Sequence, residues 1–150
     1  SLLGAIGAET FSIDPAAKAL YHAAAVIASN HLNALVDSAL ELYRVAGVEE
    51  APAAALVADI GRESLNQTIA LGPARALTGP IARGDTAVIA GHLRSLADRG
   101  PPLAAATYVA LARRTIAVAR RQGEASPAEL DAIEALLDAA DTSKAPGRAD

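Results

Sequence analysis

Cysteine, methionine and tryptophan are absent from the 150 residues, and the aromatic complement is three Tyr and one Phe. Without cysteine there is no disulfide framework, no thiolate zinc site and no thiol chemistry, an absence neutral about compartment that fits a cytoplasmic origin. Without methionine, a chain opening Ser1-Leu2-Leu3 carries no initiator and reads as processed or as a piece of something longer. No uninterrupted apolar run approaches the roughly eighteen residues of a membrane span, and the basic start of a signal peptide is missing, so no membrane partner is expected. A net charge of −4 leaves no general basic face for phosphates, which argues against a dedicated nucleic-acid binder.

What remains is alanine and aliphatic side chains, enough for one domain with a real core. Alanine is the best intrinsic helix former, and its short side chain lets helices approach closely. Helix punctuation is plentiful. Asp14-Pro15 supplies an N-cap and a first-turn proline, and the periodic pattern then runs to Gly47, a helix of over thirty residues and roughly 45 Å. Further helices are expected at 52–71 (Pro52 to Gly72), 86–99 (capped by Asp85), 102–122 (before Gly123) and from the Ser126-Pro127-Ala128-Glu129 capping box to about Ala140. Residues 1–13 read as an extended exit segment and 141–150 as a flexible tail, with the helical domain at 14–140. No strand pair or internal repeat is evident, so the fold class is all-α, a multi-helix bundle.

The long first helix has two different halves. Leu20, Ala24, Ile27, Ala28, Leu32, Leu35, Ala39 and Leu42 form one broad apolar side, expected to be core. Opposite them Lys18, His22, Ser29 and Asn33 share an arc of roughly 60°, with Asn30 beside it; beyond Val36 that side turns to Asp37, Glu41 and Arg44. Solvated faces usually carry Lys and Glu, whereas small uncharged residues with Asn, Ser and His suit a covered face. Two readings stand: the front half meets a partner surface, or its polar groups satisfy one another within a bundle. His22, taken alone, reads as structural before catalytic.

Other constellations are weaker. His22 and His31, nine residues apart, point to opposite sides of a helix, and His92 is remote, so no metal site is expected. Arg113, Arg114, Arg120 and Arg121 make two i, i+7 pairs near a helix C-terminus, where cations offset the helix dipole more readily than they make a phosphate site.

Between the second and third helices lies Leu71-Gly72-Pro73-Ala74-Arg75-Ala76-Leu77-Thr78-Gly79-Pro80-Ile81-Ala82-Arg83-Gly84-Asp85. Its glycines permit close approach and its prolines restrict it, so the bend is shaped rather than slack. It can aim the Thr78 hydroxyl, backbone N–H groups and the Arg75 or Arg83 guanidinium at an anion, or it can serve as a connector.

The stretch Leu20-Tyr21-His22-Ala23-Ala24-Ala25-Val26-Ile27-Ala28-Ser29-Asn30-His31-Leu32, together with this bend, resembles the helical C-terminal domain, itself of unassigned function, that follows a Rossmann-like domain in a family of oxidoreductase-like bacterial proteins. These are similar in arrangement to pyrroline-5-carboxylate reductases, ketopantoate reductases and 6-phosphogluconate/β-hydroxyacid dehydrogenases. The resemblance spans about residues 7 to 122 and leaves out the final helix. It implies a bundle of the 6-phosphogluconate dehydrogenase C-terminal-domain-like type with a long N-terminal spine helix. It also implies a Rossmann-like NAD(P)-binding domain N-terminal to this chain, a homodimer built on the spine, and a small anionic metabolite as ligand.

In pyrroline-5-carboxylate reductases a Ser-Pro-Gly-Gly-Thr-Thr segment binds the substrate carboxylate, and the segment from Thr78 to Thr86 resembles it, although it carries Arg83 and Asp85 and spaces its glycines differently. In β-hydroxyacid dehydrogenases the comparable helix presents a catalytic Lys with Asn four residues later; here Lys18 has His22 at that spacing. The resemblance therefore implies Lys18 and His22 as catalytic candidates and Ser29, Asn30, Asn33, Thr78, Gly79 and Arg83 as substrate-binding candidates. No Gly-x-Gly-x-x-Gly turn is present, so this chain by itself is expected to bind no NAD(P). A non-catalytic helical oligomerisation or regulatory module is the alternative.

Overall fold

A computed structural model describes residues 11–142. Most of the expected exit segment and of the tail lies outside the described residues, and 11–14 have no regular structure. A 3-10 turn at Pro15–Ala17 leads into α1 (Lys18–Ala28), α2 (Asn30–Val45), α3 (Glu50–Leu71), α4 (Pro73–Ala76), α5 (Thr86–Arg99), α6 (Pro102–Gln122) and α7 (Pro127–Thr142). Every regular element among the described residues is helical, as the punctuation predicts, and no helix there is long and apolar enough to cross a membrane. By internal packing the chain divides into two compact units, one ending at Leu35 and the other beginning at Val36.

In the first unit Asp14 caps the chain by accepting the Ala16 N–H at 2.9 Å. The expected continuous helix is instead divided at Ser29, whose backbone leaves helical geometry at φ −123°, ψ −74°. The Ser29 hydroxyl donates to the Ala25 carbonyl at 2.7 Å and lies 3.0 Å from the Asn30 side-chain amide. A serine that bonds back onto the preceding turn competes with the helical ladder and bends it, which the 3.6-residue pattern alone does not report. The apolar side expected to be core is also different. Leu20 is 76% and Ile27 64% exposed, and no residue of α1 or α2 is buried.

The second unit holds the core. There α2 ends at Val45, and beyond it Gly47 (φ 86°) donates its N–H to the Arg44 carbonyl and Val48 its N–H to the Tyr43 carbonyl, the paired closure of a Schellman motif. The helix α3 starts at Glu50, so Pro52 falls within the first turn, where a missing N–H leaves no bond unmade. Of its 22 residues only Ala53 is buried. Ile89 of α5, Ala112, Ile116 and Ala119 of α6, and Leu130, Ile133 and Leu137 of α7 form one apolar cluster. In α6 and α7 these recur at helical i, i+3, i+4 and i+7 spacing.

The same periodicity, carried to the edge of the α6–α7 pair, gives a ladder. The Arg113 guanidinium donates to Asp138 at 2.6 Å and to Asp141 at 2.7 Å; Arg120 donates to Asp131 at 2.9 Å and to Glu134 at 2.8 Å. Arginines seven residues apart thus fork onto carboxylate pairs seven residues apart on an antiparallel neighbour. These two cations form an interhelical clamp, which α6 alone does not report because the partners lie on another helix; Arg120 also stands in the last turn of α6, where a cation offsets the helix dipole.

Candidate functional site

The candidate residues fall in both units and are described separately. In the first, Lys18, His22, Ser29, Asn30 and Asn33 are all exposed. Apart from the Ser29 contacts given above, this strip is an open polar surface flanked by equally open apolar residues. Among the described residues no three His, Asp or Glu side chains converge to hold a metal ion.

In the second unit the bend is ordered by the core it enters. Leu77 packs against the central cluster and Ile81 belongs to it, while Ala82 and Gly84 are buried beside them. Between Gly79 and Asp85 the backbone closes one helical turn: the Arg83 N–H bonds to the Gly79 carbonyl at 3.3 Å, Gly84 to Ile81 at 3.2 Å and Asp85 to Pro80 at 2.8 Å. The last two bonds, with Gly84 at φ 70°, repeat the Schellman closure. Asp85 then accepts the Val88 N–H at 3.0 Å and so caps α5; its carboxylate has a structural task.

Two anchors hold the bend from outside. Gln122 Nε2 donates to the Leu77 carbonyl at 2.8 Å, and its buried Oε1 has no hydrogen-bond partner. Gly84 abuts Glu129, whose carboxylate accepts the Ser126 hydroxyl at 2.7 Å and the Ser126 N–H at 2.8 Å, while the Glu129 N–H donates to Ser126 Oγ at 3.3 Å. This reciprocal capping box holds the Glu129 carboxyl below the usual glutamate range, through the Ser126 hydroxyl first and its backbone N–H second.

Thr78 and Arg83 stand exposed on this rigid support, with Gly79 half-buried between them. A hydroxyl and a guanidinium on a fixed turn can donate to one carboxylate or phosphate, and a pre-set geometry lowers the ordering cost of doing so. The bend offers no general base of its own.

Sequence reasoning missed two features. His92 Nδ1 lies 2.9 Å from the Tyr108 hydroxyl, with the rings edge-to-face at 5.8 Å, joining α5 to α6. Burial raises the Tyr108 pKa, and the His92 tautomer sets which of the two groups donates. A half-open groove of about 620 Å³ also lies between α5, α6 and α7, lined by Ala90, Leu93, Ala97, Ala106 and Val109. The i, i+3, i+7 recurrence of Ala90, Leu93 and Ala97 was its only trace in the sequence.

The sequence profile of a domain of unknown function, DUF2520, matches residues 1–115, and the chain belongs to that family. The match takes in the bend and α5 and stops within α6, so α7, which supplies three of the largest buried side chains, lies beyond it. No curated protein and no solved structure matches the chain.

Proposed function

We propose, with membership of that family as premise, that this chain is the dimerising and substrate-binding helical domain of a Rossmann-fold, NAD(P)-dependent reductase-like protein of the cytoplasm. The observation that carries the reading is the unfinished surface of α1 and α2. A polar strip whose one charged residue is Lys18 lies opposite an apolar side carrying Leu20, Ile27, Leu32 and Leu35, every one at least 40% exposed. Contiguous exposed apolar surface of this kind marks a contact that a lone chain does not make. Its natural cover is an N-terminal Rossmann-like domain and a second copy of the chain, the partners that the family resemblance implies.

Within this reading Lys18 and His22 serve the chemistry that the cofactor-bearing domain supplies, and Ser29, Asn30 and Asn33 contact substrate or cofactor there. Independently, Thr78, Gly79 and Arg83 hold a small carboxylate or phosphate at the bend. The nicotinamide cofactor supplies hydride chemistry; this chain contributes orientation and charge.

A thermal-shift screen of the full-length protein against NADH, NADPH and small carboxylates tests it. A ligand of the native state raises the melting temperature by mass action, by an amount set by its concentration relative to Kd. A protein that melts at one temperature in every condition is instead a non-catalytic oligomerisation or regulatory module.

A further inference from the structure

Gln122, the last residue of α6, reaches across to the bend, where its Nε2 donates to the Leu77 carbonyl at 2.8 Å while its own buried Oε1 has no hydrogen-bond partner. Leu77 leaves α4 with extended backbone (φ −64°, ψ 130°), and no backbone N–H among the described residues serves its carbonyl. The side-chain bond thus satisfies one acceptor and strands another. An apolar side chain at 122 would strand the Leu77 carbonyl instead, one orphaned oxygen in place of one, so stability alone gives little reason for an amide here. What the amide adds is direction.

The Leu77 carbonyl and the Thr78 N–H belong to one planar, trans peptide unit, so the two point in opposite senses. With the carbonyl held toward α6, the Thr78 N–H is held away from it, and that N–H meets no acceptor among the described residues. A carbonyl already engaged as an acceptor also polarises its peptide and makes the N–H a stronger donor. Thr78 is exposed, and at the next residue, Gly79, a Cβ would meet nothing within 4 Å, so the space beside that donor is open.

We infer that Gln122 is a positioning residue of the anion site at the bend: by holding the Leu77–Thr78 peptide it sets the direction of the Thr78 N–H and of the backbone from which the Thr78 hydroxyl projects. This rests on the reading of Thr78 and Arg83 as an anion site and deepens it in two ways. It adds a backbone donor to the hydroxyl and the guanidinium, an all-donor set suited to the oxygens of a carboxylate or phosphate. It also carries the site beyond residues 1–115, which the family profile matches, into the last turn of α6.

Calorimetric titration of the full-length protein with inorganic phosphate and, separately, with acetate tests it, using the parent, Gln122→Met, Thr78→Val and the double variant. Methionine keeps the length of the side chain while removing both the donor and the stranded acceptor. Gln122→Met is expected to bind about tenfold more weakly whichever ion the parent binds. Its melting temperature should stay within about 3 °C of the parent's. The double variant should lose less than the two single losses combined, because both act through Thr78. Unchanged affinity in Gln122→Met, or losses that simply combine, overturns the positioning role and leaves the bend site standing. A Gln122→Met chain that no longer folds overturns it as well, since the bond is then structural. A parent that binds neither ion overturns the bend site itself.

Discussion

A Cβ placed on Gly84 would lie 2.7 Å from the Cβ of Glu129, so the bend and the first turn of α7 meet where only glycine fits. Gly84 is also at φ 70°, a conformation that other residues adopt at a cost. The core thereby fixes the direction in which Thr78 and Arg83 are presented, although it touches neither side chain's tip.

Gly84→Ala should therefore be worse than the same change at Gly123, which has φ 80° but open space around it. The expected loss at Gly123 is about 1 kcal/mol, from backbone strain alone. At Gly84 overlap adds roughly 1–3 kcal/mol. Urea unfolding of the two variants side by side measures the difference.

Acid should weaken the anchor at α7. The folded-state pKa of Glu129 is depressed, so its contribution is complete above the unfolded glutamate value of about 4.3 and is lost as pH falls through the lower folded value. Glu129→Gln is expected to be less stable than the parent at neutral pH and to lose less between pH 5 and pH 3. Parallel slopes of unfolding midpoint against pH would show that the capping box does not set this titration.

Leu137 and Ile133 are fully buried in α7. Truncating either to alanine is expected to cost about 2–5 kcal/mol, through lost burial and the cavity left behind. A chain ending before Ser126 should fail to fold cooperatively, even though the family match stops at residue 115. Thermal denaturation followed by circular dichroism reads both.

The Arg113 and Arg120 ladder is exposed, and such pairs are screened by water and salt. A double-mutant cycle of Arg120→Ala with Asp131→Ala should give a favourable coupling at low salt that shrinks on adding salt. It should stay smaller than the loss from Leu137→Ala.

Thr78→Val and Arg83→Ala change exposed side chains, so neither should move the unfolding midpoint of this chain appreciably. In the full-length protein each is expected to weaken the carboxylate or phosphate ligand about tenfold or more, measured by calorimetry. Unchanged affinity and turnover in both variants would remove the bend from the site.

Much of the fold was legible. Asp85, Gly123 and Ser126-Pro127 marked helix ends that the structure places within a residue or two, because caps and prolines act through their own backbone and need no distant partner. Ser29 was legible only as a polar residue on a face; that its backbone leaves helical geometry and parts α1 from α2 was not. Leu20 and Ile27 carried the right period for burial, yet periodicity reports that a face is apolar and not what covers it.

Chain order alone thus settled the helical class, the helix ends marked by Asp85, Gly123 and Ser126-Pro127, and the shaped character of the bend, since propensity, capping and proline stereochemistry operate over a few neighbouring residues. Only tertiary structure decided that Ile81 is core, that Gly84 must yield to Glu129, and that Arg113 and Arg120 grip α7. Those outcomes depend on which surfaces meet in space, a relation between residues tens of positions apart that no local pattern encodes.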